Sequence, residues 1–364
     1  MTAVFNRRLF LAGSAAATSL AMPPSVMARI GPTPENPIRL MYNENPYGPG
    51  PKARAAAAKE LQNTSALYPE SSHLRNKLAD YHGLTPAHVA LSSGSTEMLH
   101  AAASVFGRSG TVIGPTPTYG PQFDYARAKG VDVILTPLND EFANDLDALA
   151  ARTGSGAGMV YICNPNNPTG VLVDAGRLRD FCDTVGRDAV VVVDEAYNDL
   201  VDQPVENSMI DLVTAEKNVI VVKTFSKIYG LAGLRIGYAL GRPDLIEALQ
   251  SEVMTWISRP GLAAAMASLD DKDFYNFSKK KIIEGREKIY AACDAAGFDY
   301  VKSQTNFVFV NVKRNADAFA ADMLARGVNV RGAVYPPYTT YSRVSTGKLE
   351  EVDYFAGVLK SIAN

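Results

Sequence analysis

The chain has 364 residues, 47% of them hydrophobic and 20% charged, which is enough for a large core domain and a smaller one. A net charge of −2 and a pI near 6.1 offer no footing to nucleic acid or to an anionic membrane surface. Cys163, Cys182 and Cys293 lack CxxC spacing, and His73, His82, His88 and His100 lack ligand spacing, so neither a disulfide frame nor a metal site is expected.

Residues 1–28 read as a secretory signal. A basic start, Arg7-Arg8-Leu9-Phe10-Leu11, precedes a short alanine-rich apolar stretch and a small-x-small end at Ala28. The paired arginines are of the twin-arginine type, which carries folded proteins, and this places the mature chain in the periplasm or beyond. The apolar stretch is too short for a stable membrane span. The alternative is an uncleaved arm on a cytoplasmic protein.

The remainder divides into an N-terminal arm at 29–60, a large domain at 61–255 and a small C-terminal domain at 256–364. Between about 88 and 240, β-rich runs alternate with helical patterns. Strands are expected at 89–92, 111–114, 131–136, 159–163, 189–194, 219–223 and 235–240. Several are continuous apolar runs, as strands buried on both faces require. Helices at 96–106 and 175–185 lie between them, and the alternation predicts an α/β fold, a mostly parallel sheet with helices on both faces. Functional side chains should gather at the carboxyl ends of its strands. Beyond 241 the pattern predicts a helix at 245–254, a break at Pro260-Gly261 and a long helix at 274–296. A strand at 306–312, a helix at 316–326 and a final helix from 349 complete a smaller α/β unit.

Four segments at strand ends carry chemistry. Ser92-Ser93-Gly94-Ser95-Thr96-Glu97 opens a helix, where free amides and hydroxyls form an anion cup. Asn164-Pro165-Asn166-Asn167-Pro168-Thr169-Gly170 is a turn. Asp194-Glu195-Ala196-Tyr197 sets a carboxylate where it either caps the next helix or faces a ring nitrogen. Thr224-Phe225-Ser226-Lys227 continues to Arg235 and sets one amine beside hydroxyls and a guanidinium, a setting for a reactive lysine next to a phosphate. Lys223 is a rival amine four residues earlier. Tyr119 offers an aromatic face.

In this order the segments resemble the fold-type I pyridoxal-phosphate aminotransferases of class I/II, and within them the histidinol-phosphate aminotransferases. Asn43-Glu44-Asn45-Pro46-Tyr47-Gly48-Pro49, Tyr68-Pro69-Glu70 and Thr305-Asn306-Phe307-Val308 point to that branch. The resemblance spans about 38–360. It implies the PLP-transferase fold, pyridoxal 5′-phosphate as cofactor, and transfer of an amino group from an amino acid or similar amine to a 2-oxo acid. It further implies that Lys227 holds the cofactor covalently and shuttles a proton, that Asp194 pairs with the ring nitrogen, and that Asn167 and Tyr197 reach the ring's phenolic oxygen. Tyr119 would stack on the ring, with Gly94, Ser95, Thr96, Thr224, Ser226 and Arg235 around the phosphate. Tyr68 would reach the cofactor of a second subunit, so a homodimer is expected. Decarboxylation or elimination on the same scaffold is the nearest alternative activity, and a non-catalytic cofactor-binding protein the more distant one.

On the substrate side the resemblance assigns Arg343 to the anionic group, with Tyr47 and Asn167 nearby. A guanidinium suits a carboxylate and a phosphate ester alike. Arg331 either widens that anion site or is a surface arginine. The loop from Arg331 to Tyr341 is richer in tyrosine than the family pattern, and Thr346-Gly347-Lys348 replaces the expected glycine-threonine. Those tyrosines either line an aromatic pocket or simply pack the loop. Together with the export signal they weigh toward an amino acid held by its carboxylate.

Overall fold

The computed structural model describes residues 31–364, apart from 65, 155, 334 and 364, so the signal expected at 1–28 lies outside the described residues. Strands β1 (Ile38–Leu40), β2 (Val89–Ser92), β3 (Thr111–Thr116), β4 (Val133–Pro137), β5 (Ala157–Cys163), β6 (Val190–Asp194), β7 (Val219–Thr224) and β8 (Gly237–Gly241) precede residue 242. Seven of them form one sheet in the order β2-β8-β7-β6-β5-β3-β4. Only β8 runs antiparallel to its neighbours, with Val222 opposite Ala239 and Leu91 opposite Tyr238. β5 and β6 are buried at every residue, and this explains their unbroken apolar sequence.

The flanking helices follow from local signals. Ala175–Val185 starts where the Asp174 side chain accepts the Arg177 amide, and it buries Leu178, Phe181, Cys182 and Val185, one face at helical spacing. Full burial of such a side chain stabilises by roughly 1.5–3 kcal/mol, so these faces fix the helices against the sheet.

The second unit is built from β9 (Asp299–Val301), β10 (Phe307–Asn311), β11 (Val328–Val330) and β12 (Tyr341–Ser345). β12, β10 and β9 form an antiparallel sheet, and β1 pairs with β11 in parallel. Leu40 therefore belongs to the core of this unit, with Val308, Val330, Val344 and Phe355. The long helix Lys272–Ala296 begins where the Asp271 side chain accepts the Phe274 amide, and it ends at Gly297, whose φ of 71° is left-handed.

Most expected elements are present with ends shifted by a few residues, and two differences have a local cause. The helix expected over 245–254 is Pro243–Gln250, because Thr255 donates its amide and hydroxyl to Glu97 at 3.1 and 2.6 Å and draws the chain away. Pro260-Gly261 does not break structure. It opens the helix Arg259–Leu269 behind the Ser258 cap, where a missing N–H costs nothing.

Candidate active site

The carboxyl ends of the parallel strands converge on a cavity of about 420 Å³. Asp194 ends β6, Lys227 lies three residues past β7, and Asn167 four past β5. Ser95, Thr96, Tyr119, Tyr197, Thr224, Ser226 and Arg235 line the same cavity. A second cavity, of about 390 Å³, shares Tyr119, Asn167, Tyr197 and Lys227 and adds Arg331, Tyr335 and Arg343. One side of the site thus carries the hydroxyl-rich cup and the other side two guanidinium groups.

Asp194 is 2% exposed. The Tyr161 hydroxyl donates to its Oδ2 at 3.0 Å, and the Ala196 amide to its Oδ1 at 3.1 Å. Burial raises its pKa to about 6, against the opposing pull of Tyr161, the Ala196 amide and Lys227. A buried carboxylate held this way favours a cationic partner. Lys227 donates to the Asn43 carbonyl at 3.2 Å, and its ammonium lies 5.4 Å from the Tyr197 ring centre. Its pKa is lowered to about 8, by burial first and by Arg343 second, with a smaller push from Arg235. An amine half neutral near that pH is a competent nucleophile and proton carrier.

Lys223 lies outside this cavity, in an ion pair with Glu195. Burial would depress it, but Glu195, whose Oε2 lies 2.9 Å away, and Asp199 more than offset this and leave it raised. Successive strand residues alternate faces, so Lys223 points away from Thr224 and the cavity.

The cup fits a phosphate. Gly94 has a φ of 87°, and the helix Ser95–Gly107 that follows has no side-chain cap, which leaves its first amides free. A Cβ at Gly94 would collide with the Arg235 guanidinium, so glycine permits that close approach. Arg235 itself adopts a φ of 57° and donates Nη1 to the Ala232 carbonyl at 3.0 Å. The Thr224 and Ser226 hydroxyls are 2.9 Å apart, and Thr96 and Tyr119 share a hydrogen bond of 2.7 Å. With Asp194 for a ring nitrogen and Lys227 for an aldehyde, the donor set suits pyridoxal phosphate.

Arg343 is 7% exposed, and its Nη1 donates to Asn167 Oδ1 at 2.7 Å and to the Tyr335 hydroxyl at 2.8 Å. Its Nη2 donates to the Met41 carbonyl at 2.7 Å. Arg331 and Arg343 form an antiparallel bridge, with backbone hydrogen bonds of 3.1 and 3.2 Å. Residues opposite one another in such a pair project from the same face. The Nε atoms of both are buried without a partner.

Two expected residues are not brought into the cavity. The Tyr47 hydroxyl accepts the Leu349 amide at 3.2 Å, and its ring meets Phe277 edge-on, so the helix Leu349–Ala363 holds it elsewhere and Tyr42 lines the site instead. Tyr68 is 82% exposed and packs against Trp256 at 4.8 Å, outside this chain's own cavity. Of the loop tyrosines only Tyr335 lines the site. Tyr338 and Tyr341 pack on Phe142 and Phe309, which removes the case for an aromatic wall.

Sequence reasoning missed Tyr161, hidden in an apolar strand, and the part played by Asn43. Asn43 has a φ of 55°, donates Nδ2 to the Tyr197 hydroxyl at 3.0 Å, and its carbonyl also accepts from Asn306 at 2.9 Å. Its place in an Asn-rich turn was a legible signal.

A family model for class I and II aminotransferases matches residues 35–359. A histidinol-phosphate aminotransferase of Brevibacillus brevis is 36% identical over 89% of this chain and 90% of its own length. One from Bacillus licheniformis is 34% identical over 90% of each. The crystal structure of a histidinol-phosphate aminotransferase from Sinorhizobium meliloti, in complex with pyridoxal-5′-phosphate, superposes with a TM-score of 0.82 at 27% identity, covering 96% of this chain and 99% of that one.

Proposed function

The chain belongs to the class I and II aminotransferases, and from that premise we propose that its amine substrate carries a phosphate monoester, as histidinol phosphate does. It is a pyridoxal-phosphate-dependent transaminase that moves an amino group from an amine to a 2-oxo acid. The bound cofactor supplies the carbonyl that takes up the amino group and the electron sink that makes the Cα proton labile. Asp194, its carboxylate oriented by Tyr161, would keep the ring nitrogen protonated. Lys227 Nζ binds the cofactor and carries the proton to and from Cα. Tyr197 and Asn167 would hold the cofactor ring, and Arg235 with Ser95 and Ser226 would anchor its phosphate.

The paired guanidinium groups carry the substrate reading. A single carboxylate is answered by Arg343, whereas Arg331 beside it, with an unpartnered Nε, supports a second negative charge and more acceptor oxygens. This reverses the lean toward a carboxylate, because two of the three loop tyrosines are packing residues. Steady-state kinetics test it. Arg343→Ala should raise KM for any anionic amine by about thirty- to a thousandfold, the loss of a charge-assisted bidentate pair. Arg331→Ala should raise KM for histidinol phosphate by about tenfold or more and leave an amino acid held by its carboxylate nearly unchanged. Equal, small effects of Arg331→Ala on both substrates would overturn the phosphate reading.

The working form is a homodimer. Tyr68, Met254 and Trp256, between 68% and 86% exposed, support an apolar contact beside the cavity, through which Tyr68 reaches the partner's cofactor. Sedimentation should give about twice the monomer mass, and a monomer at micromolar concentration would refute this. Export through the twin-arginine signal rests on Arg7 and Arg8, and no helix among the described residues is long and apolar enough to cross a membrane. A fusion of residues 1–40 to a reporter should be exported, and Arg7→Lys with Arg8→Lys should retain it. A parent fusion that stays in the cytoplasm would favour the uncleaved arm.

A further inference from the structure

On the face of the sheet away from the cofactor cup lies a larger cavity, of about 650 Å³. Its walls are aromatic: Tyr81, Tyr229, Tyr238 and Tyr275 all line it. Its charges do not balance. Arg179 is taken by Asp211 at 2.8 Å, and Lys223 by Glu195 at 2.9 Å, which leaves the carboxylates of Asp199 and Glu206 without a basic partner at ion-pair distance among the described residues. Asn198 also lines the cavity. It is 1% exposed, its Nδ2 is committed to the Pro204 carbonyl at 2.7 Å, and its Oδ1 is buried with no donor. A buried acceptor left unmade costs about 1–3 kcal/mol, so it marks a position for a donor. His82, pushed down to about 3 by burial and then by Lys223, stays neutral and adds no positive charge.

Aromatic walls, surplus carboxylate and an orphaned acceptor share one complement, an organic cation bearing N–H groups. The chain provides an internal example. The Lys272 ammonium stands 4.6 Å from the Tyr81 ring centre and 5.9 Å from that of Tyr275, and it donates to the Tyr81 hydroxyl at 3.2 Å. We propose that this cavity is a second ligand site that takes a small organic ammonium, its nitrogen between Asn198 Oδ1 and Asp199 and its apolar part among the tyrosines. Asp199 already accepts the Tyr275 hydroxyl at 3.2 Å, so that ring and carboxylate are held together.

Calorimetric titration of borohydride-reduced holoenzyme with phenethylammonium chloride tests this, because reduction saturates the C=N bond between Lys227 and the cofactor and leaves no electrophilic carbon for an added amine. One binding event per chain is expected, weakened at least about fivefold by Asp199→Asn and by Tyr275→Leu. It should be unchanged in Arg343→Ala, and the neutral isostere 2-phenylethanol should bind at least about fivefold more weakly. Cofactor absorbance and melting temperature report whether each variant has folded. Should a core variant fail, the exposed Glu206→Gln and the alcohol comparison decide the matter. Absence of binding, equal affinity for the alcohol, affinity untouched by the carboxylate changes, or an event lost in Arg343→Ala would each overturn the proposal.

Discussion

Replacing Asp194 by asparagine should move stability and activity in opposite directions. In the cofactor-free protein this carboxyl is fully buried, and its pKa of about 6 stands some 2 units above the ordinary 3.8. At 1.36 kcal/mol per unit, holding it ionised costs about 3 kcal/mol. Because the folded value is raised, the folded state binds the extra proton between about pH 3.8 and 6, so stability falls as pH rises through that window and is flat above it. Asp194→Asn removes that slope. At about pH 7.5 the cofactor-free variant should be more stable than its parent by ~1–3 kcal/mol, the lower figure allowing for poorer partners for the Ala196 amide and Tyr161 hydroxyl. With the cofactor bound the order reverses, since the carboxylate then meets a protonated ring nitrogen that the amide cannot stabilise. Turnover should drop at least about a hundredfold. Urea unfolding of both proteins, with and without cofactor, at about pH 4.5, 6 and 7.5 supplies the numbers. A cofactor-free variant no more stable than its parent at the highest pH, or turnover within about threefold, would refute the reasoning and leave Asp194 a local cap.

Other expectations bear on single residues. Borohydride should fix the cofactor on Lys227 and never on Lys223, as read by peptide mapping. Lys223→Ala should preserve that labelling while destabilising by about 3–5 kcal/mol, since it strands Glu195 in the core. Tyr161→Phe removes a hydrogen bond that lowers the Asp194 pKa, so in the cofactor-free protein the slope of stability against pH should reach to higher pH than in the parent. Acylation of Lys227 in the cofactor-free protein should rise with a midpoint near pH 8, because burial lowers its pKa to about 8, and a midpoint near that of free lysine would refute this. Gly94→Ala should weaken cofactor binding at least about tenfold, because it strains a left-handed backbone and displaces Arg235, and fluorescence titration of the cofactor would detect this.

The sequence alone determined whatever is written in short-range pattern. Short β-branched apolar runs such as 190–193 read as strands covered on both faces, and the segments that follow them are where an α/β sheet leaves backbone and side chains free for function. The placement of Lys227 beside hydroxyls and Arg235 was also legible, and all of these line one cavity. What the pattern could not express is distance between segments far apart in the chain. Only the tertiary structure decided that Arg331 and Arg343 stand side by side on one face, that Asn43 joins Lys227 to Tyr197, and that Tyr161, by sequence one more residue in an apolar strand, holds Asp194. Tyr47, Tyr338 and Tyr341 show the converse. Their motif places them near the site, but the helix Leu349–Ala363 and the packing on Phe309 compete for the same side chains and hold them away, and such competition is settled by three-dimensional packing, which no spacing along the chain encodes.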